Sequence, residues 1–225
     1  MKAGYVPGVP LQGLLDAQAD IWRQASSQAI ELMGAPSGLQ PTSAVRAQFP
    51  DGAIGAVKQV SVAVLHNGGE LAFRLAWRDA TADTGADGQD DVGFPDAAAV
   101  LFASRPNAPL MTMGAPGLPV SAWYWRADEN GRGRQVTAEG LGTTQTVHGD
   151  QVHARGVYAD GGWAVVIARS LRAQGAGAVA QLEMGAAASF SVAVWEGSHG
   201  ERAGVKSFAL GPLGGWHELV VDRKA

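Results

Sequence analysis

With no cysteine anywhere in the chain, methionine is its only source of sulfur ligands. Two methionines fall in one short loop, Pro109-Leu110-Met111-Thr112-Met113-Gly114-Ala115-Pro116-Gly117. An aromatic run follows directly, Val120-Ser121-Ala122-Trp123-Tyr124-Trp125-Arg126-Ala127. Methionine is usually a core filler, but the glycines and prolines here leave it no helix to pack on. The loop therefore raises the question of whether a thioether binds a soft metal centre. Among the lysines, Lys2 and Lys224 are terminal, Lys58 opens one strand, and Lys206 opens another directly after a glycine-containing loop. Lysine ligates a metal rarely, and only as the neutral amine. Residue type alone neither chooses between Met111 and Met113 nor pairs either with a lysine.

Other chemistries find less support. His66, His148, His153, His199 and His217 show no His-x-x-x-His spacing and no flanking carboxylates in a metal-ligand pattern. They read as solvated loop residues, His66 in a hairpin turn and His199 in a Gly/Ser-rich loop. Ser104, Ser198 and Ser207 carry no Gly-x-Ser-x-Gly signature of a hydrolase nucleophile. No P-loop is present, nor a Gly-x-Gly-x-x-Gly between a strand and a helix. No catalytic residue is assigned. The absence of cysteine removes disulfides, cysteine zinc sites, iron–sulfur clusters and covalently attached haem.

Composition narrows the partners. A net charge of −4 argues against nucleic acid. Charged residues make up 17%, below the usual quarter, as expected of an alanine- and glycine-rich chain or of one covered by partner subunits. The longest apolar run, Ala97 to Ala103, is too short to span a bilayer. Met1-Lys2-Ala3-Gly4-Tyr5-Val6-Pro7-Gly8 lacks the apolar centre of a signal peptide.

The elements that must position these residues are mostly strands. Val60, Val62 and Val64 alternate with small residues, and after His66-Asn67-Gly68-Gly69 so do Leu71, Phe73, Leu75 and Trp77. This pattern predicts a hairpin with one buried face. Val152–Tyr158 and Trp163–Leu171 repeat it around Ala159-Asp160-Gly161-Gly162, and further strands are expected at Ala97–Ala103, Phe190–Val194, Val205–Leu210 and Trp216–Val221. Leu11, Leu14, Leu15, Gln18 and Trp22 share one face of a helix, weakened by Gly13. Asp79–Asp91 and Asp128–Asp150 are polar and read as irregular, the second with one short helix at most. Many short strands with little helix predict an all-β fold, a β-sandwich of mainly antiparallel strands with a few short helices in loops. No linker divides the chain, so residues 1–225 are expected to form a single domain.

The order of these motifs resembles the haem b-binding γ subunits of the type II dimethyl sulfoxide reductase family, in particular those of ethylbenzene dehydrogenase and steroid C25 dehydrogenase. The resemblance covers nearly the whole chain. It runs from Met1-Lys2-Ala3 and Val6-Pro7-Gly8 through Val64-Leu65-His66-Asn67-Gly68 to the strand ending at Trp77. Its most specific pieces are Thr112-Met113-Gly114-Ala115 with Ala122-Trp123-Tyr124-Trp125, and Ala193-Val194-Trp195 with Glu201-Arg202 and Lys206-Ser207. It implies one non-covalent haem b with Met113 and Lys206 as axial metal ligands. It further implies a chain that relays electrons and catalyses nothing itself. A molybdenum-containing α subunit and an iron–sulfur β subunit would hold the molybdenum cofactor and the clusters, and the electrons would pass to an external partner such as a cytochrome c. The reaction of the whole complex would be water-derived hydroxylation of a hydrocarbon or steroid side chain. The location implied is the periplasm, reached by co-export on a partner's twin-arginine signal.

That ligand pair is chemically coherent. Thioether is a soft, neutral donor that favours ferrous iron and raises the reduction potential. Keeping lysine neutral near pH 7 requires roughly 4–5 kcal/mol against its ordinary pKa near 10.4. Burial and the iron's charge act in that direction. Two readings compete. The seven tryptophans could form exposed platforms of a carbohydrate-binding sandwich, although Trp77, Trp163 and Trp195 lie in core-like strands. In a variant of the haem reading, His199 or Lys58 replaces Lys206.

Overall fold

A computed structural model describes residues 1–40, 42–50, 52–85, 93–149, 152–173 and 178–223. It is a β-sandwich whose strands pair antiparallel with one exception. The first sheet contains β2 (Ser27–Glu31), β4 (Gln59–His66), β5 (Glu70–Arg78), β10 (His153–Tyr158) and β11 (Gly162–Ser170). The second contains β6 (Ala97–Ala103), β7 (Val120–Arg126), β8 (Gly133–Ala138), β9 (Gln145–Thr146), β12 (Ala187–Trp195) and β14 (His217–Val221). Two short strands, β3 (Met33–Gly34) and β13 (Ser207–Phe208), extend the second sheet beside β12. The exception is β1 (Lys2–Tyr5), which runs parallel to both β4 and β14 and so joins the sheets.

Period-two alternation places the core between the layers. Val60, Val62, Val64, Phe73 and Leu75 face Val100, Phe102, Trp123, Phe190 and Val192 in one buried cluster. Both hairpins expected from the sequence are present, as are the strands at Ala97–Ala103 and around Phe190. The first hairpin departs from expectation in burying its second face too. Ala63, Leu65 and Ala72 pack under Leu14, Leu15 and Trp22 of α1 (Leu11–Leu15) and α2 (Asp20–Gln24). The single amphipathic helix expected there is thus two short ones. The Asp16 side chain accepts the Gln18 N–H and Ala19 is extended, so the backbone leaves helical geometry between them. Asp128–Asp150 is also more regular than its polarity suggests, since it contains β8 and β9. The strand expected at Val205–Leu210 shrinks to Ser207–Phe208. Of the expected loop Asp79–Asp91, residues 86–91 lie outside the described residues.

All seven tryptophans are at most 7% exposed, which leaves none as a sugar-binding platform. Among the described residues no helix is long and apolar enough to cross a membrane.

Candidate functional site

The outer face of the second sheet carries small side chains where its inner face carries large ones. Ala99 and Leu101 of β6, Ala122 of β7 and Ala193 of β12 alternate with Val100, Phe102, Trp123 and Val192. Two cross-strand rows cross this face. One is Ser191–Leu101–Ala122–Val136–Thr146, and the other is Ala193–Ala99–Tyr124–Arg134. The short side chains leave a cavity of about 390 Å³, roofed by Leu39, Leu110, Met111, Met113 and Leu141. Among the described residues no histidine, aspartate or glutamate lines it.

Met113 and Lys206 meet in this cavity, the Lys206 Nζ lying 3.8 Å from the Met113 Sδ. Met111 lines the same cavity. Lys58 does not, since its ammonium donates to the Gly55 carbonyl, and His199 is on an exposed loop. The variant ligand sets through those two residues therefore have no geometric support. His66, expected as a solvated turn residue, is instead fully buried at the end of β4, with its ring beside Tyr5.

Each donor is held by its own turn. Met113 occupies the left-handed region at φ 57°, a conformation rare for any residue but glycine. Its N–H donates to Leu110 and its carbonyl accepts from the Gly140 N–H. The next residue, Gly114, has φ 89°, and a β-carbon there would lie 2.6 Å from the Ala138 carbonyl oxygen. Lys206 follows a turn whose carbonyls are taken by buried side chains. The Trp195 indole donates to Ala203 and the Gln40 amide donates to Gly204. The buried Glu201 carboxylate accepts from the backbone N–H groups of Gly55, Ala56 and Glu196.

The lysine's surroundings are dry. Lys206 is 9% exposed, and among the described residues its ammonium has no oxygen acceptor and no ion pair. Its other neighbour is the Trp195 ring, 5.2 Å from Nζ to the centroid. Burial pushes its pKa down to about 8 from 10.5. At about 1.4 kcal/mol per pH unit, burial supplies about 3 kcal/mol toward the neutral amine.

A neutral amine facing a thioether in an apolar slot is a donor pair for a soft or borderline metal. At 3.8 Å apart, the two donor atoms would need only a small side-chain adjustment to share one metal ion. The small side chains Ala99 and Ala122 and the apolar Leu39, Leu110 and Phe208 of the lining suit a large apolar ring around that ion, so the residues fit a haem.

A second cluster was missed in the sequence. Carboxylate oxygens of Asp79, Asp83, Asp96 and Glu196 lie within 4.8 Å of one another. Asp96 accepts from the N–H groups of Asp83, Gly197 and Trp163, yet burial still raises its pKa to about 7. The cluster braces the start of the Lys206 turn through Gly197, Ser198 and His199.

Comparisons with known proteins show the family of the chain. The family model described as ethylbenzene dehydrogenase matches residues 19–151 and 141–207. A Haloferax mediterranei protein named as the haem subunit of a respiratory nitrate reductase is 32% identical over 90% of this chain and 71% of its own length. The chlorate reductase γ subunit of Ideonella dechloratans is 32% identical over 86% of this chain and 75% of its own. In fold the chain is similar to a family 9 carbohydrate-binding module from Caldicellulosiruptor kristjanssonii in complex with glucose. The TM-score is 0.53 over 100% of this chain and 96% of the module, with 11% identity. At that identity the likeness concerns the sandwich alone.

Proposed function

The chain belongs to the ethylbenzene dehydrogenase family, and from that premise we propose that it is the haem-binding, electron-transferring γ subunit of a molybdenum oxidoreductase complex. The observation that carries the reading is the Lys206 amine, buried without an anion and 3.8 Å from the Met113 thioether. Residues 1–225 form one haem b-binding domain on this reading, with Met113 and Lys206 as the axial ligands. When bound, the haem supplies a one-electron store.

The chain's own residues do the rest. Burial holds Lys206 toward its neutral form, and Met113 adds a soft donor that favours the reduced metal. With Met113 and Lys206 both holding the iron, no coordination site would be left for oxygen or substrate, and the chemistry supplied would be electron transfer. Leu39, Leu110, Leu141 and Phe208 give the cavity apolar lining. A one-electron relay works in either direction. It serves a reductase such as those naming the two relatives as well as a dehydrogenase that hydroxylates a hydrocarbon or steroid side chain.

The partners in this proposal are a molybdenum α subunit, an iron–sulfur β subunit and an external carrier such as a cytochrome c. The location is the periplasm, with export on a partner's twin-arginine signal, and cell fractionation tests it. The functional test is the reduced-minus-oxidised absorption spectrum of the purified complex. A six-coordinate b-type spectrum assigned to this chain is expected, and a complex without haem in this chain would overturn the reading.

A further inference from the structure

The polar side chains of the cavity lining fall in two places, Gln40, Ser191 and Lys206 toward β12 and the Lys206 turn, and Tyr124, Arg134, Thr144 and Thr146 toward β7, β8 and β9. Tyr124 and Arg134 are cross-strand neighbours on β7 and β8, and both side chains line the cavity. Thr146, on β9, stands beside them through its register with Val136. Leu39, Leu110 and Phe208 are among the apolar side chains of the lining. Lys206 and Arg134 are the cationic side chains in the lining. Lys206 faces Met113, so only Arg134 is left to meet an anion carried by a cavity ligand.

The neighbours of this pair leave room for a ligand. Arg134 directs its Nε and one Nη at Glu129, which leaves its Nη1 unassigned among the described hydrogen bonds. The Tyr124 ring is fixed edge-on against Trp195, with centroids 5.3 Å apart. Among the described residues no hydrogen bond uses its hydroxyl. Burial pushes that hydroxyl up to about 12, so it remains a donor at any physiological pH. Glu129 pairs with Arg134 from outside the cavity lining and does not enter it.

A phenol O–H and a guanidinium N–H side by side make a two-donor site for a carboxylate. Haem carries two carboxylates on one edge, and Arg134 beside Tyr124 is the cation that the lining offers away from the Met113–Lys206 pair. We infer that Tyr124 and Arg134 receive the haem's carboxylates and so fix the rotation of the ring about the Met113–Lys206 axis. This inference rests on the haem reading above.

The test compares haem with haem dimethyl ester, which keeps the ring and the iron but loses both charges. Each is titrated into the full chain and its dissociation constant read from the absorption change. The wild-type chain should prefer the free acid by about tenfold or more, the effect of a charge-assisted hydrogen bond on a half-buried site. Arg134→Leu should lose most of that preference while its affinity for the diester stays within about twofold. Arg134→Lys should keep the preference, and Tyr124→Phe, which preserves the ring packing, should lose part of it. Haem that binds with the same acid-to-ester preference in wild type, Arg134→Leu and Tyr124→Phe overturns this inference and leaves the haem reading standing. A wild-type chain that binds neither porphyrin overturns both.

Discussion

The two turns that present Met113 and Lys206 are built differently. The Lys206 turn is tied by buried side chains, namely Glu201, Trp195 and Gln40, and by the Asp96 carboxylate at its start. The Met113 turn is tied by backbone hydrogen bonds to Leu110 and Gly140 near the surface, and its own residue is half-buried. The contrast fits the ligands proposed above. An amine must be kept dry to lose its proton, so its support is deep and shared with the core. A thioether has no proton to lose, so a short loop with the right backbone shape is sufficient. Damage on the lysine side should therefore cost the fold, and damage on the methionine side should cost ligation.

The largest effect is expected at Glu201. Glu201→Ala leaves buried amides of Gly55, Ala56 and Glu196 without their acceptor and should destabilise the chain by about 3 kcal/mol or more. Thermal unfolding measures this, with haem content falling in parallel. Next is Gly114→Ala, where a β-carbon meets the Ala138 carbonyl in a left-handed backbone. It should cost about 1–3 kcal/mol and convert much of the haem from six- to five-coordinate. An equal loss of haem in the two variants, with no change in coordination for Gly114→Ala, would break the contrast.

A pH dependence sharpens the lysine side. Asp96 has its pKa raised by burial from 3.8 to about 7, so the folded state holds its proton more tightly than the unfolded state does. That contribution to stability is fully present below about pH 4, is lost as pH rises toward 7, and is level above that. The melting temperature should carry this slope, and Asp96→Asn should remove it. The smallest effect is expected at Thr143, whose hydroxyl accepts from Glu139 and donates to Gly140 beside the methionine turn. Thr143→Val should cost about 0.5–1 kcal/mol in unfolding and leave haem content unchanged.

Much of the sandwich was legible in the alternation of Val60–Val64, Leu71–Trp77 and Trp163–Leu171, because one face of each strand must be apolar. Its second buried faces were less so. The alanines at 99 and 122 carry no mark of their own in the sequence, yet their smallness helps open the cavity. The joining strand β1 is too short and mixed to show a period, and the turn made by Asp16 is indistinguishable by periodicity from a helix continuing to Trp22. Met113 and Lys206 were named through the resemblance. No spacing rule links residues from a loop and a distant strand that only the folded sheet brings together. Glu201 and Tyr124 stand in motifs that carry the resemblance but have no role attached there, and Arg134 stands outside them; each takes its role from what it faces in three dimensions.

On the proposed function, one haem is gripped from both turns at once. Near-infrared magnetic circular dichroism of the haem-loaded chain beside Met113→Ala and Lys206→Ala reads both grips most directly. A low-spin amine–thioether signature is expected in the wild-type chain, with loss of the thioether feature in the first variant and loss of the amine feature in the second. A signature unchanged in both variants would contradict that reading.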